Sequence, residues 1–200
     1  DRDYSMPVMD MRNGENVQEF LARDDLAALS RRGVATPDHV IRTKGYPLHL
    51  TTEILSGGRE SISKAVEDFI AEYTAYFEAN ATRSDGTKTM LQPTPNLAWI
   101  EGVGAVGISA NAKAAAAASD LAEQNIAAMT NGEACGGFYP LNATGLFDME
   151  YWSLEQAKLG KGKPPALQGK IVMVTGGGGA IGLATAHEFA ALGANAFLVD

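Results

Sequence analysis

The stretch VTGGGGAIGLATA, which runs from Val174 to Ala186, constrains the fold of this chain more than any other part of the sequence. It overlaps the short β-branched run KIVMVT, which predicts a buried parallel strand. The glycines then predict a tight turn, and residues 181–192 predict a helix that ends at Gly193. The segment NAFLVD, which ends in Asp200, predicts a second strand. The order therefore predicts a βαβ unit.

The residue types in this turn suit the binding of a dinucleotide. Glycine has no Cβ, so the main chain can turn sharply and come close to a pyrophosphate. The start of the following helix offers free N–H groups and the positive end of the helix dipole. Asp200 follows Gly182 by 18 residues, close to the roughly 20 expected of an acid that binds the adenosine ribose. Because that carboxylate would repel a 2′-phosphate, the pattern favours NAD over NADP.

Segment 175–182 resembles the TGxxxGIG fingerprint of the short-chain dehydrogenases, with Ala180 in place of the middle glycine. The resemblance implies that these residues bind the cofactor: Gly176, Gly178, Gly179, Ile181 and Gly182 at the phosphates and Asp200 at the ribose. The family's catalytic Tyr-x-x-x-Lys pattern matches none of the six tyrosines. We therefore predict no catalytic residue in this chain and expect the catalytic half beyond Asp200.

Charge and composition argue against several other classes. A net charge of −8 and a pI near 4.9 disfavour a nucleic acid or an anionic membrane as partner. No apolar run approaches the ~18 residues of a membrane span. The single cysteine, Cys135, permits no internal disulfide, which fits a cytoplasmic protein. No histidine lies near it in sequence, so we expect a buried or merely tolerated thiol.

Upstream of the glycines, the sequence predicts a mixed α/β module. We expect a helix or two short helices in 15–33, a short strand at 38–44 and a long amphipathic helix through 62–77. LAWIEGVGAVGIS predicts two short strands, and Ser109 is expected to cap a helix that ends at Asn131-Gly132. A last helix is expected at 147–159. GKGKPPALQG has linker composition, which divides the chain into 1–159, a linker at 160–167, and 168–200.

Two upstream phrases, RRGVATPDHVIRTK at 31–44 and LFDMEYWSLEQAKL at 146–159, precede the dehydrogenase-like start. Together they resemble the bifunctional class II aldolase/short-chain dehydrogenase family, of the rhamnulose-1-phosphate aldolase/lactaldehyde dehydrogenase type. The resemblance implies the later part of a class II aldolase-like α/β module followed by the first βαβ unit of a Rossmann domain. It also implies an NAD-dependent enzyme of rhamnose-type carbohydrate metabolism, a small hydroxyaldehyde substrate and a homo-oligomer.

Class II aldolases hold a divalent metal such as zinc with histidines. The three histidines of this chain, His39, His49 and His187, form no His-x-His pair, and His187 is expected to be solvated. In the hairpin EGVGAVGIS, Val103 stands where the resemblance implies a metal-binding histidine, and valine cannot ligate metal. We therefore predict no metal ligand here, and we expect any metal site of the intact protein to lie before Asp1. This region is then a packing or assembly module.

Two alternatives remain open from the sequence. The dehydrogenase could act on a sugar alcohol or its phosphate, or the chain could be a non-catalytic scaffold. A single βαβ unit cannot cover both faces of its sheet, so we expect its strands to expose apolar side chains. By itself the 200-residue chain is therefore expected to bind NAD weakly and to lack aldolase activity.

Overall fold

The computed structural model describes residues 6–83, 88–159 and 162–200. Within these ranges the chain forms one four-stranded sheet with flanking helices and one two-stranded sheet. The elements of the first unit are β1 (Val8–Arg12), α1 (Glu15–Leu21), α2 (Leu26–Leu29), α3 (Pro37–Thr43), β2 (Leu48–Leu50), α4 (Thr52–Ser56), α5 (Gly58–Ala81), β3 (Leu97–Ile100), β4 (Gly104–Ser109), α6 (Ala112–Ala134), α7 (Ala143–Glu150) and α8 (Ser153–Ala157). The elements of the second are β5 (Ile171–Thr175), α9 (Ala180–Ala191) and β6 (Asn195–Val199).

The four-stranded sheet has the order β1-β4-β3-β2 and a core on each face. Strand β4 pairs antiparallel with β1 and β3, whereas β2 and β3 are parallel. Successive side chains of a strand point to opposite faces. Leu97 and Trp99 accordingly join the core with α1 and α6, and Ala98 joins the core with Phe69 of α5. The sheet is therefore a middle layer between helices.

Helix α6 approaches β4 closely because Gly107 has no side chain. A Cβ at Gly107 would lie 2.3 Å from the carbonyl oxygen of Ala115. The Ser119 hydroxyl accepts a hydrogen bond from the Gly107 amide (3.0 Å) and donates one to the Asp10 carbonyl (2.7 Å). One buried hydroxyl thus connects α6 to both β1 and β4.

Several predicted elements are confirmed. Segment 15–33 forms the two short helices α1 and α2, with Asp24 and Asp25 between them. The predicted long helix is α5, and it buries Phe69 and Tyr73. The predicted hairpin is formed by β3 and β4, with Val103 exposed in its turn. These elements could be predicted because the spacing of apolar residues and glycines along the chain indicates them.

The strand predicted at 38–44 is wrong, because this segment is helix α3. Pro37 occupies its first turn, where a fixed φ and a missing N–H favour a helix. The Thr43 hydroxyl donates to the His39 carbonyl (2.9 Å), one helical turn away. Four residues of α3 are buried: His39, Val40, Ile41 and Thr43. Packing against α6 and α7 therefore overrides the β-branched character of the segment.

Helix boundaries in the second half of this unit also differ from the predictions. Ser109 does not cap α6, since the side chain of Asn111 accepts the Ala114 amide (2.9 Å) instead. The helix continues beyond Asn131-Gly132 to Ala134. The predicted last helix is two helices, α7 and α8, which are separated at Tyr151 and Trp152. Capping residues two or three positions apart cannot be ranked from sequence alone.

Strands β5 and β6 pair in parallel, with Ile171 opposite Asn195 and Thr175 opposite Val199. Helix α9 connects them and buries Ala186. Several large apolar side chains of this unit are exposed: Ile171, Met173, Ile181, Leu183, Leu192, Phe197, Leu198 and Val199. The expectation that the two strands expose apolar side chains is confirmed, whereas the buried strand predicted at KIVMVT is wrong for this chain, since only Val174 of β5 is buried. In the described residues, every helix is either too short or too polar to span a bilayer.

Candidate functional site

The glycine-rich turn lies between the carboxyl end of β5 and the start of α9. Gly176 has a φ of +67°, a conformation that favours glycine. The Gly177 amide donates to the Val199 carbonyl (3.0 Å), and the Gly179 amide donates to the Gly176 carbonyl (3.1 Å). The first hydrogen bond holds the turn against the end of β6, and the second closes the turn itself.

Gly182 brings α9 close to this turn. A Cβ at Gly182 would lie 2.1 Å from the carbonyl oxygen of Gly176, a distance that no side chain tolerates. The Leu183 amide makes a hydrogen bond to the Gly179 carbonyl (2.9 Å). The amides that precede it belong to the first helical turn, where N–H groups have no partner inside the helix. The start of α9 therefore offers donors and a positive dipole end to an anion.

Asp200 follows β6 and lies beside the turn. A Cβ at Gly178 would lie 2.4 Å from Asp200 Oδ2, so the carboxylate occupies the space that a side chain at Gly178 would need. Asp200 itself is exposed. The fold thus brings four of the six predicted site residues together: Gly176, Gly178, Gly182 and Asp200.

The other two predicted site residues also lie at the turn. Gly179 is the residue before α9 and has an extended backbone. The side chain of Ile181 is 85% exposed, so it faces solvent beside the turn. Gly177, which was not among the predicted site residues, is buried, and a Cβ there would lie 2.8 Å from Leu198 Cβ. Gly177 belongs to the run of four glycines that predicted the turn, but only its packing against β6 distinguishes it from the other three.

The histidines have separate environments. His39 is buried, and its Nδ1 lies 2.7 Å from the Thr36 hydroxyl. His49 Nε2 lies 3.0 Å from a Glu101 carboxylate oxygen, and the other oxygen accepts the Thr52 amide. The exposure of His187 agrees with the prediction. In the described ranges, no group of three or more His, Cys, Asp or Glu residues is arranged to hold a metal ion.

Cys135 is exposed and follows the last residue of α6. Of the two outcomes expected for this thiol, the structure contradicts burial and agrees with a thiol that is merely tolerated at the surface. The position has a physical reason, because Cys135 directly follows the last residue of α6, and its amide still donates to the carbonyl of Asn131 (3.0 Å). Its side chain is left at the surface.

A second group of polar side chains, which the sequence analysis missed, is buried between α5, α7 and the end of α3. This buried polar cluster consists of Lys44, Tyr73, Tyr76, Glu150 and Tyr151. The Tyr73 hydroxyl donates to Glu150 Oε1 (2.7 Å), and the Tyr76 hydroxyl donates to Oε2 (3.1 Å). Lys44 Nζ lies 3.6 Å from the centroid of the Tyr73 ring. Residues that are far apart in sequence therefore form one network.

The hydroxyl of Tyr73 also lies 2.7 Å from that of Tyr151. Because Tyr73 donates to Glu150, Tyr151 must be the donor in this pair. Both Glu150 oxygens thus accept hydrogen bonds, which is the pattern of an ionised carboxylate. Burial raises the pKa of Glu150, and the hydrogen bond from Tyr73 and the charge of Lys44 lower it. Burial and the nearby Glu150 charge raise the pKa values of Tyr73 and Tyr76, so both stay neutral donors.

Lys44 is 3% exposed, and burial lowers its pKa from 10.5 to about 8. The facing groups are Glu150, Tyr73 and Tyr76. Between pH 8 and 10.5 the unfolded chain binds a proton at this lysine that the folded chain releases. The wild type should therefore gain stability as the pH rises through this window, whereas Lys44→Met lacks this contribution. The difference between their free energies of unfolding should change in favour of the wild type by about 1.4 kcal/mol per pH unit. Urea titrations of both proteins at several pH values measure it; a difference independent of pH contradicts the burial argument.

Residues 2–159 match the family model described as "Aldolase class II, second domain". The match covers well over half of the chain, so the chain belongs to this class II aldolase second-domain family. It is also similar to a protein of Bacillus subtilis (strain 168) named "Uncharacterized oxidoreductase YuxG", with 32% identity over 198 residues. The match covers 96% of this chain but only 28% of that relative. No solved structure matches the chain.

Proposed function

We propose that this chain belongs to an NAD-dependent short-chain oxidoreductase that is fused to a class II aldolase-like module. In this proposal, residues 1–159 form the aldolase-like module, 160–167 the linker and 168–200 the start of a Rossmann domain. The substrate is a small hydroxyaldehyde released from a sugar phosphate of the rhamnulose-1-phosphate type. The intact protein is a cytoplasmic homo-oligomer without a nucleic-acid or membrane partner. Its divalent metal, if present, is held outside these 200 residues.

Two comparisons support the combination of an aldolase-like module with an oxidoreductase in this proposal. Membership of the aldolase family accounts for residues 2–159. The similarity to a protein named as an oxidoreductase extends over 198 residues and so includes the glycine-rich turn. An enzyme that combines both kinds of module accounts for both similarities.

The position of Asp200 beside Gly178 is the observation that carries the choice of NAD. The residues fit this cofactor because Gly176 has open space where a Cβ would stand, Gly178 and Gly182 let Asp200 and α9 come close to the turn, and the start of α9 supplies amide donors. Gly176, Gly178 and Gly182 would hold the pyrophosphate, and Asp200 would accept hydrogen bonds from the ribose hydroxyls. When bound, NAD supplies a hydride acceptor or donor. The role of this part of the chain is binding and orientation.

The proposal predicts that Asp200→Ala changes cofactor preference. In the natural protein that contains this chain, NADH should bind more tightly than NADPH, because the carboxylate repels a 2′-phosphate. Asp200→Ala should reduce this preference at least about ten-fold, which corresponds to ~1.4 kcal/mol. Fluorescence titrations with both nucleotides measure the two dissociation constants.

Asp68→Ala is the matched control, because Asp68 is an exposed acid on α5 paired with Lys64. It should leave the preference unchanged. An intact protein that binds neither nucleotide contradicts the proposal and favours a scaffold role. An unchanged preference in Asp200→Ala contradicts the assignment of Asp200.

A further inference from the structure

A small cavity lies beside Lys44, in the unit that contains the four-stranded sheet. Its volume is about 70 Å³, which gives room for several water molecules or for a ligand of a few non-hydrogen atoms. Side chains of α5, α7 and segment 44–46 line it: Lys44, Tyr46, Phe69, Tyr73, Tyr76 and Leu146. We name this space the Lys44 cavity. It shares no residue with the glycine-rich turn.

The Lys44 ammonium has more donors than partners. Nζ donates to the Gln92 carbonyl (2.8 Å) and faces the Tyr73 ring. Within the described ranges, no ion pair within 4.0 Å joins Lys44 to a carboxylate, and each Glu150 oxygen accepts a hydrogen bond from a tyrosine hydroxyl. An ammonium has three N–H groups, and burying a charge is costly unless it is hydrogen-bonded. The remaining donors are therefore available to an acceptor that enters the cavity.

The charges around the cavity favour one negative charge inside it. Arg31 and Glu72 also line the cavity, and they form an ion pair with N–O distances of 2.6 and 3.0 Å. Both side chains are more than half exposed, so this pair lies at the mouth. Glu150 is not part of the lining, whereas Lys44 is. The lining side chains themselves thus carry one net positive charge, contributed by Lys44, while the compensating Glu150 carboxylate lies outside the lining and accepts hydrogen bonds from Tyr73 and Tyr76.

The rest of the lining suits a short apolar body. Phe69 and Leu146 are buried, and the tyrosines present ring surfaces. Tyr46 also faces the cavity, and within the described residues its hydroxyl makes no hydrogen bond. One anionic group near Lys44 and Tyr46 with a short hydrocarbon tail would satisfy both kinds of surface.

We propose that the Lys44 cavity binds a small monocarboxylate of about two to four carbons. The carboxylate accepts hydrogen bonds from Lys44 Nζ and the Tyr46 hydroxyl, and the hydrocarbon part contacts Phe69 and Leu146. This site is independent of the proposed cofactor site.

Sodium propionate is the probe, and propionamide is its neutral analogue of the same shape. Isothermal titration calorimetry of the full chain at pH 7 and constant ionic strength measures both. We expect propionate to bind with a dissociation constant in about the millimolar range, and propionamide at least ten-fold more weakly. Equal affinities, or no propionate binding, overturn the proposal.

Three variants locate the binding. Lys44→Met should abolish propionate binding, whereas Lys64→Met, which removes an exposed lysine of α5, should leave it unchanged. Tyr46→Phe removes only a hydroxyl without a described partner, so the chain should fold, and propionate should bind several-fold more weakly. If Lys44→Met fails to fold, Tyr46→Phe still decides. Undiminished propionate binding in Tyr46→Phe, or loss of binding in Lys64→Met, contradicts the proposed site.

Discussion

Glu150→Leu should lower the free energy of unfolding by about 3–5 kcal/mol, because it removes one partner of a buried charged network. Glu150 is fully buried and accepts hydrogen bonds from Tyr73 and Tyr76. In the variant these two hydroxyls lose their acceptor, and Lys44 loses the carboxylate charge that compensates its own. Urea denaturation followed by circular dichroism measures the change.

Two further variants test whether the loss of stability comes from the buried charge network. Glu78→Leu replaces an exposed glutamate of α5 and should change stability by less than about 0.5 kcal/mol. Glu150→Leu combined with Lys44→Met should cost less than the sum of the single substitutions, because both charges are removed together. An additive double variant, or a cost below about 1 kcal/mol for Glu150→Leu, contradicts the charge network.

Trp99→Ala should also cost about 3–5 kcal/mol, because it leaves a large cavity in the core between the sheet and α6. Trp99 is completely buried in β3, and its ring packs edge-on against Phe20 with centroids 5.1 Å apart. Trp99→Phe should cost less, because it keeps an aromatic ring and removes an indole N–H without a partner in the described structure. Urea denaturation ranks the three proteins.

Trp152 provides the matched control, since it is the other tryptophan of the chain and is 45% exposed. Trp152→Ala should cost much less, and it leaves Trp99 as the only indole. The fluorescence of that variant should be blue-shifted in the folded state and shift to the red on unfolding. If Trp152→Ala costs as much as Trp99→Ala, the assignment of the core to this face of the sheet is wrong.

The elements that sequence predicted well depend on residues close together in the chain. Glycines after a β-branched run predicted the turn between β5 and α9, and apolar spacing predicted α5. The hairpin of β3 and β4 follows from two short apolar runs around Gly102 and Gly104, both of which have positive φ. In each case a period of two or 3.6 residues, or a glycine with special φ, carries the information.

Segment 37–43 shows where this reasoning fails. Its apolar residues are too few to distinguish a strand from one face of a short helix. The decision comes from Pro37 at the first turn and from burial of His39, Val40 and Ile41 against other helices. The two phrases that suggested the fusion family meet in the same region, where Asp38 lies 3.4 Å from Lys158.

The sequence by itself determined the glycine-rich turn, its flanking strands and helix, and the acid at their end, because these depend on local conformation and spacing. Tertiary structure alone decided which glycines lie against β6, how close Asp200 comes to Gly178, and that Lys44 shares a buried network with Glu150. Lys44 and Glu150 lie on elements far apart in the chain, and no local pattern encodes their meeting. Packing brings them together, and burial then sets the pKa of Lys44 and its need for an acceptor.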